Sequence, residues 1–250
     1  MTKQKHFFLF RGLIREGKHW GEFPVTLART LSGTKVTNID IPGSGEFHKT
    51  PSPISIKRMV ELMRQVYLSK KATDDECILI AISLGGMIAA EWLKTYPEDF
   101  KKVVLINTSY GGYSKFFKRL KPSAFLHLVQ IVKMKGREKE AHILKLVSNH
   151  KNYFDSNLDL WEEIQRERPV SLENTIRQLL AAARFRIGKF KPTHPVLILA
   201  STHDRMVDVS CSRAIAKKWE LPIIEHPTAG HDIPSDDPEW IVQRVKEFVC

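Results

Sequence analysis

Apolar and polar residues change their spacing several times along the chain. Short apolar runs predict strands, and apolar residues three and four positions apart predict helices between them. In "SPISIKRMVELMRQVYLSKK", for example, Ile56, Met59, Val60 and Met63 share one helical face. The predicted strands lie near 6–12, 35–42, 77–83, 102–109, 195–202 and 222–227. This alternation predicts an α/β fold, with a mostly parallel sheet of about six strands flanked by helices.

The alternation stops in the middle of the chain. Four helical patterns follow one another without a strand, from "SAFLHLVQIVKM" to "SLENTIRQLLAAARF". A helical insertion between two sheet strands predicts a cap (lid) over the carboxyl ends of the strands, where reactive groups of parallel sheets lie. The predicted organisation is an α/β core of residues 1–109 and 193–250 with a helical cap at 110–192. A second domain without a role at the site is the alternative.

Length and composition narrow the class of protein. The 250 residues, 42% of them hydrophobic, suffice for one domain carrying an insertion. No apolar run reaches the roughly 18 residues that cross a bilayer, and the N-terminal segment lacks a signal-peptide cleavage site. Three cysteines without metal-ligand spacing argue against a disulfide framework or a zinc site. We therefore expect a cytoplasmic protein that does not associate with membranes.

The net charge of +11 comes mostly from the cap. Residues 111–194 carry 17 Lys and Arg against 8 Asp and Glu, a surplus of 9. A solvated basic face is one interpretation. The other is a binding surface for an acidic partner, such as an acyl carrier protein or a CoA ester. Nucleic acid is not expected, because no RNA-binding motif or zinc finger accompanies the charge, and the expected assembly is a monomer or homodimer.

Ser83 stands at the junction of a strand and a helix in "CILIAISLGGMIAAEW". A nucleophile in a tight strand-to-helix turn needs small residues two positions before and two positions after it, the pattern G-x-S-x-G. Here the pattern is A-x-S-x-G, and Ala81 adds one methyl group that the turn can accommodate. A serine beside glycines is also a common helix N-cap, so the motif alone leaves both interpretations open.

Two residues farther along the chain favour the catalytic interpretation. A nucleophilic serine needs a histidine to take its proton and a carboxylate to orient that histidine, in the chain order Ser, Asp or Glu, His. Asp204 follows a predicted strand in "VLILASTHDRMVD", and His231 precedes the last helix in "PTAGHDIPSDDPEW". We therefore predict a Ser83–Asp204–His231 triad. Asp208 is the alternative acid, although its position suits a helix N-cap better.

Acyl transfer also requires hydrogen-bond donors for the oxyanion. One predicted donor is the backbone N–H of Leu84, immediately after the serine. The other is the N–H of Leu13, in the loop after the first strand, where Gly12 lets the backbone approach closely.

These motifs together resemble the α/β-hydrolase family over nearly all of the chain outside the cap. "DIPGSGE" resembles the loop after the second strand, "SLGGMIA" the nucleophile elbow, "HDRMVD" the acid loop and "AGHDIPSDDPEWI" the histidine loop. Within the family, the elbow and the cap are similar to those of bacterial carboxylesterases, among them the carrier-protein methyl esterase of biotin synthesis. Arg11-Gly12 departs from the usual His-Gly of the oxyanion loop. The serine argues against the dehalogenase and epoxide-hydrolase branches, which use aspartate.

The resemblance implies hydrolysis of a carboxylic ester or thioester through an acyl-enzyme intermediate, without a metal or organic cofactor. Four residues are predicted to contact the substrate: Arg11, Trp20, Phe117 and Trp161. Together with Trp20, five apolar residues of the cap are predicted to line an acyl pocket, although helix docking is the simpler role for each of them: Phe116, Phe117, Phe125, Leu128 and Trp161. Three polar residues near the predicted mouth either bind substrate or replace the contacts of the missing histidine: Arg15, Glu16 and His19. The non-enzyme alternative is a hydrolase-derived binding protein, which would be expected to lack a triad residue.

Overall fold

The computed structural model describes residues 4–150 and 154–250, and it contains one sheet of six strands in the order β2-β1-β3-β4-β5-β6. Every neighbouring pair is parallel, which confirms the predicted α/β fold. The strands are β1 Lys5–Phe10, β2 Lys35–Asn38, β3 Glu76–Ile82, β4 Lys102–Ile106, β5 Val196–Ser201 and β6 Ile223–His226. The four central strands are continuous apolar runs because helices cover both faces of the sheet.

Helices and apolar clusters lie on the two faces of the sheet. Since side chains alternate along a strand, Phe8 and Phe10 of β1 enter one cluster, whereas Phe7 and Leu9 enter the other. The helices of the core are α1 Phe23–Thr30, α2 Ile56–Lys70, α3 Leu84–Thr95, α9 Ser210–Trp219, α10 Ile233–Asp236 and α11 Pro238–Val249. Each strand thus ends at the same edge of the sheet, where the connecting loops meet.

Five helices separate β4 from β5, in the region where the sequence predicted a cap. They are α4 Phe116–Arg119, α5 Pro122–Ile131, α6 Gly136–Val147, α7 Phe154–Glu167 and α8 Leu172–Arg184. The four longer helices correspond to the four predicted patterns, and α4 is an additional short turn of helix. Helices α5, α6 and α7 share an apolar cluster of their own, which includes Leu144, Trp161 and Ile164, whereas Ala181 of α8 belongs to a cluster on one face of the sheet. Three of the five helices therefore pack around a small core of their own.

Buried polar side chains join the cap to the core. Asn174 of α8 accepts the N–H of Ser52 at 2.8 Å and donates to the carbonyls of His48 and Thr50. Arg15, in the loop after β1, donates to Glu140 of α6 at 2.8 Å, and both side chains are buried. Because buried polar groups are costly without partners, these contacts stabilise the packing of the cap against the loops of the core.

Candidate active site

Ser83 lies in a strained turn between β3 and α3. Its backbone angles are φ 56° and ψ −116°, which residues other than glycine rarely adopt and which concentrate at functional sites. The N–H of Ser83 donates to the carbonyl of Ile106 at 2.9 Å, and the Thr108 hydroxyl donates to the carbonyl of Ser83 at 2.8 Å. The end of β4 thus holds the serine in this conformation.

The residues around the turn explain the A-x-S-x-G pattern. A Cβ atom on Gly85 would lie 2.5 Å from the carbonyl oxygen of Phe10 and 2.6 Å from that of Arg11, so only glycine fits there. Ala81, in contrast, is fully buried in the apolar cluster, with Phe10 and Leu105 as its register partners. The turn therefore forms with alanine at its first position and requires glycine at its last.

His231 and Asp204 are in direct contact. Nδ1 of His231 lies 2.6 Å from Oδ2 of Asp204, and both side chains are buried. Because a carboxylate can only accept, Nδ1–H donates here, and Nε2 is the basic nitrogen of the neutral ring. Oδ1 of Asp204 accepts the N–H groups of Met206 and Val207 at 2.7 and 2.9 Å. The carboxylate is thereby held in one orientation towards the histidine.

The surroundings of His231 favour its protonated form. Burial lowers the pKa of His231, but the charge of Asp204 and the hydrogen bond to it raise the pKa, with a further upward contribution from Asp232. The charge of Arg11 opposes these contributions, and the result is a pKa above the ordinary value of 6.5. A histidine of this kind accepts a proton readily from a neighbouring hydroxyl.

Asp208 has a different environment. Its Oδ1 accepts the N–H of Ser210 at 3.0 Å at the start of α9, and its carbonyl accepts the N–H of Cys211. Asp208, the alternative acid, therefore accepts hydrogen bonds from backbone N–H groups at the start of α9.

Asn107 is a site residue that the sequence reasoning missed. It follows β4 directly, its Nδ2 donates to the carbonyl of His231 at 2.7 Å, and its Oδ1 accepts the N–H of Ser201 at 2.8 Å. Asn107 thus ties the ends of β4 and β5 to the histidine loop. The signal that could have identified it was a polar asparagine near the carboxyl end of the strand predicted at 102–109.

The two predicted oxyanion donors flank the serine. Leu84 is the first residue of α3, so its N–H has no acceptor within the helix. Leu13 lines both cavities that contain Ser83. A Cβ atom on Gly12 would lie 3.1 Å from the Cβ of Ser83, which shows how closely this loop approaches the serine.

Gln178 of α8 holds the same loop and was also missed. Its Oε1 accepts the N–H of Ile14 at 2.9 Å, and its Nε2 donates to Ser44 Oγ at 3.0 Å. Ile14 has a φ of 52°, a left-handed conformation that a β-branched residue rarely adopts. The fully buried Gln178 therefore fixes the backbone next to Leu13, although 164 residues separate it from Ile14.

Arg11 forms a buried ion pair with Asp232. Its Nη1 and Nη2 lie 3.0 and 2.5 Å from the two carboxylate oxygens, and its guanidinium lies 4.9 Å from the ring centre of Trp20. Asp232 follows His231 directly, so the pair joins the oxyanion loop to the histidine loop. Arg11 also lines the small cavity beside Ser83, but both of its Nη atoms are engaged by Asp232.

Two connected cavities contain Ser83. A small one of about 50 Å³ is lined by Ser83 and His231 together with Leu146 and Val147 of the cap. A larger one of about 260 Å³ has mostly apolar walls and includes Met87. Three of its residues also line an apolar groove of about 590 Å³ between α5 and α8: Phe125, Ile176 and Leu179. The serine therefore faces an apolar passage that leads along the cap.

Three of the aromatic residues predicted to contact substrate, Trp20, Phe117 and Trp161, lie outside the two cavities that contain Ser83. Trp20 is fully buried in the apolar cluster of the core, and Trp161 is buried in the cap cluster, so both are packing residues. Phe117 is half exposed on α4, whereas its neighbour Phe116, predicted for the same pocket, lines the larger cavity. Periodicity identifies an apolar helical face without showing whether that face meets a core or a cavity, which explains these corrections.

The polar residues predicted near the mouth are buried between core and cap. The Arg15 guanidinium lies 4.2 Å from the ring centre of Trp161, and Arg15 also lines the small cavity. Burial, followed by the charges of Arg15 and Arg11, lowers the pKa of His19 well below 6.5. Burial and the charge of Asp40 raise the pKa of Glu16 to about 7. These residues mainly connect the oxyanion loop to the cap.

Two structural features bear on metal binding and on membrane insertion. Among the described residues, His, Cys, Asp and Glu form no group of three that could hold a metal ion. Across residues 4–150 and 154–250, no helix combines the length and the hydropathy that crossing a bilayer requires.

A family model described as Hydrolase_4 (serine aminopeptidase, S33) matches residues 3–237 of the chain. Epoxide hydrolase 1 of Caenorhabditis elegans is 24% identical over 199 residues, which cover 70% of this chain and 48% of that protein. The α/β-hydrolase domain-containing protein VTE7 of Arabidopsis thaliana is 26% identical over 180 residues, covering 68% and 52%. The chain thus spans about half the length of these two relatives.

Two other proteins are similar to this chain over a larger share of their own length. The pimeloyl-[acyl-carrier protein] methyl ester esterase of Xylella fastidiosa (strain M12) is 23% identical over 200 residues, which cover 77% of this chain and 76% of that protein. The structure of the esterase RhEst1 from Rhodococcus sp. ECU1013 superimposes with a TM-score of 0.77 at 16% identity, covering 98% of this chain and 90% of that one. The structural likeness shows a shared fold.

Proposed function

Because this chain belongs to the Hydrolase_4 family of α/β-hydrolases (serine aminopeptidase, S33), we propose that it hydrolyses carboxylic esters with Ser83, His231 and Asp204 as its catalytic triad. The observation that carries the proposal is a single cavity that holds Ser83, in its strained turn, together with His231, whose Nδ1 is 2.6 Å from Asp204. The same geometry disfavours a binding protein that has lost catalysis, since such a protein has no need of a strained serine.

The reaction follows the acyl-enzyme route. Nε2 of His231 takes the proton of the Ser83 hydroxyl as the oxygen attacks the ester carbonyl. The N–H groups of Leu13 and Leu84 stabilise the oxyanion, and Asp204 stabilises the imidazolium that forms. His231 then gives its proton to the leaving alcohol. In the second half, water attacks the acyl-enzyme with His231 again as base, which releases the acid and restores Ser83.

The residues that line the two cavities suggest where the acyl and alcohol parts of the substrate bind. The larger cavity, with apolar walls and its continuation into the groove between α5 and α8, suits an apolar acyl chain. The small cavity is lined by His231, which must reach the leaving oxygen, so the alcohol leaves on that side. We therefore propose an ester with a long apolar acyl chain as the substrate class.

A thioester, bound to an acyl carrier protein or CoA, is the second candidate substrate. Two observations favour it: the surplus of nine positive charges at residues 111–194, and the likeness to a methyl ester esterase whose name specifies a carrier-protein substrate. Hydrolysis of such a substrate should slow with rising salt more steeply than that of a short neutral ester, because salt screens the attraction of charged partners.

The proposal is tested with nitrophenyl esters of increasing chain length. We expect Ser83→Ala to lower kcat/KM by a factor on the order of 10⁴ to 10⁶, because the nucleophile is lost. Ser69→Ala, the same change at an exposed serine of α2, serves as the matched control and should leave the rate unchanged. If Ser83→Ala keeps the wild-type rate, Ser83 is not the nucleophile; if the wild-type protein hydrolyses no ester, the binding-protein alternative gains support.

A further inference from the structure

A polar cavity, separate from the two cavities that contain Ser83, lies next to the loop that carries Asp204. It has a volume of about 410 Å³ and is formed by α5, α6 and the loop after β5. Leu146 provides an apolar wall, and the other residues that line it are polar or basic: Lys121, Ser123, His127, His142, Lys145 and Arg205. In the described part of the chain, no Asp or Glu lines this cavity. Its walls can therefore carry up to five positive charges without a lining carboxylate.

Neutral groups, not carboxylates, orient these basic side chains. Lys121 Nζ donates to the carbonyl of Asp204 at 2.6 Å, and Arg205 Nη2 donates to the carbonyl of Ser148 at 2.5 Å. Nδ1 of His127 lies 2.8 Å from Nε2 of His142. None of these partners carries a negative charge, so the contacts that hold Lys121, Arg205 and the two histidines do not neutralise the positive charge of the cavity.

The lowered pKa of His142 also indicates an excess of positive charge around the cavity. Burial lowers this pKa, and the charges of His127 and Lys145 lower it further, against a weaker opposing effect of Glu138. Outside the cavity walls, Asp208 is close enough for Lys121 to lower the pKa of the aspartate. An anion inside the cavity would reverse the unfavourable interactions among the basic groups.

The number of donors favours a phosphate group over a carboxylate. Two ammonium groups, a guanidinium and an imidazole N–H converge on one space, whereas a carboxylate offers only two oxygens. A phosphate monoester offers three oxygens and up to two negative charges. Lysine and arginine exclude a metal cation, and the polar walls disfavour an apolar ligand.

The cavity lies next to the leaving-group side of the active site. Leu146 lines both this cavity and the small cavity of Ser83 and His231, so the two cavities adjoin at this side chain. The larger apolar cavity shares no lining residue with it. Arg205 also follows Asp204 directly in the chain.

We propose that this cavity binds a phosphate group carried by the alcohol or thiol portion of the substrate, an assignment that rests on the proposed function. A soluble phosphopantetheine compound and a phospholipid headgroup share this chemistry. Binding of the phosphate itself does not depend on catalysis and can be measured separately.

Binding is measured calorimetrically on the full chain at constant ionic strength, with three probes. Inorganic phosphate tests the site, 4′-phosphopantetheine tests a soluble source, and phosphatidylcholine vesicles with and without phosphatidylglycerol test a lipid source.

Lys145→Gln and His142→Gln remove groups from the cavity. Lys133→Gln is the matched control, because it removes the same charge from an exposed cap position outside the cavity. Circular dichroism verifies that each variant is folded, and Lys145 is exposed, so its substitution leaves the core intact.

We expect saturable binding of one phosphate, weakened about tenfold by Lys145→Gln and by His142→Gln because charge-assisted hydrogen bonds are lost, and changed less than twofold by Lys133→Gln. The same loss with phosphopantetheine identifies a soluble source, and the same loss with phosphatidylglycerol vesicles identifies a lipid source. Non-saturable binding, or equal weakening by Lys133→Gln, overturns the proposal. Failure of the proposed function is distinguishable, because it appears as equal hydrolysis of a neutral short ester by wild type and Ser83→Ala.

Discussion

Arg11 and Asp232 join the loop that carries the proposed oxyanion donor to the loop that carries His231. Both side chains are almost completely buried, and two hydrogen bonds link them. In the family that the sequence resembles, a histidine usually occupies the position of Arg11. The arginine therefore forms a different link, from the oxyanion loop to the residue after His231. The proposed oxyanion donor is a backbone N–H, so this substitution does not remove it.

Arg11→Met is expected to lower the free energy of unfolding by about 3–5 kcal/mol, because it leaves the Asp232 charge buried without a partner. Arg11→Met/Asp232→Asn removes both charges and should recover part of this loss. The measurement is urea unfolding of wild type, the two single variants and the double variant. Energies that add within about 0.5 kcal/mol would show that the two residues are not coupled.

The contact between His231 and Asp204 predicts the pH dependence of catalysis. His231 must be neutral to take the serine proton, and its pKa is raised above 6.5. The acid limb of the kcat/KM profile should therefore lie above pH 6.5, with activity rising as pH increases through this pKa. The stabilisation that His231 gains from folding has the opposite sign: it is present below pH 6.5 and is lost as pH rises through the folded pKa.

Asp204→Asn should move this limb to lower pH, because burial then acts without the opposing carboxylate. The rate should fall by a factor on the order of 10⁴, as in other triads that lose the orienting acid. Asp208→Asn is the matched control and should keep the wild-type profile, since Asp208 contacts the start of α9. A limb that moves with Asp208→Asn instead would identify the other aspartate as the acid.

Helix α8 contacts the loops of the site through one buried face. Asn174 binds the loop after β2, and Gln178, one turn later, binds both that loop and Ile14. The opposite face presents Ile176 and Leu180 to the apolar cavities. One helix thus fixes the oxyanion loop and forms a wall of the proposed acyl site.

Gln178→Leu is expected to lower kcat about tenfold at a temperature where the protein is folded, less than the roughly 10²–10³-fold effect of removing an oxyanion donor outright. The N–H of Ile14 loses its acceptor, which also costs about 1–3 kcal/mol of stability. Arg177→Gln, on an adjacent position of α8, controls for changes in the helix itself. Unchanged kcat combined with lowered stability would show that Gln178 has only a structural role.

The elements were predictable from the sequence to different degrees. The strands at 77–83 and 195–202 were recognisable because a buried parallel strand is a continuous apolar run, and their ends located Ser83 and Asp204. The contacts of Gln178 with Ile14 were not predictable, because they join residues 164 positions apart without a local pattern. Trp20 and Trp161 were misassigned because an aromatic residue on an apolar face fits a core and a pocket equally well.

At the scale of the whole molecule, the apolar surface of the cap is continuous with the active site. Several large apolar side chains of α5 and α8 are about half exposed, among them Phe125, Val129, Leu172 and Ile176. These residues line the groove of about 590 Å³, and Phe125 and Ile176 also line the cavity of Ser83. Under the proposed function, an acyl chain longer than the inner cavity would therefore extend into the groove.

This continuity predicts a dependence on chain length that one substitution can change. Ile176 lines both spaces, so Ile176→Trp should fill the junction and shorten the path for the chain. Excluding two methylenes costs about 1.6 kcal/mol of apolar burial, so the ratio of kcat/KM for dodecanoyl and butanoyl nitrophenyl esters should fall about tenfold or more. Val25→Trp adds the same ring at an exposed position of α1 and should leave the ratio unchanged. An unchanged ratio in Ile176→Trp would place the acyl chain outside this passage.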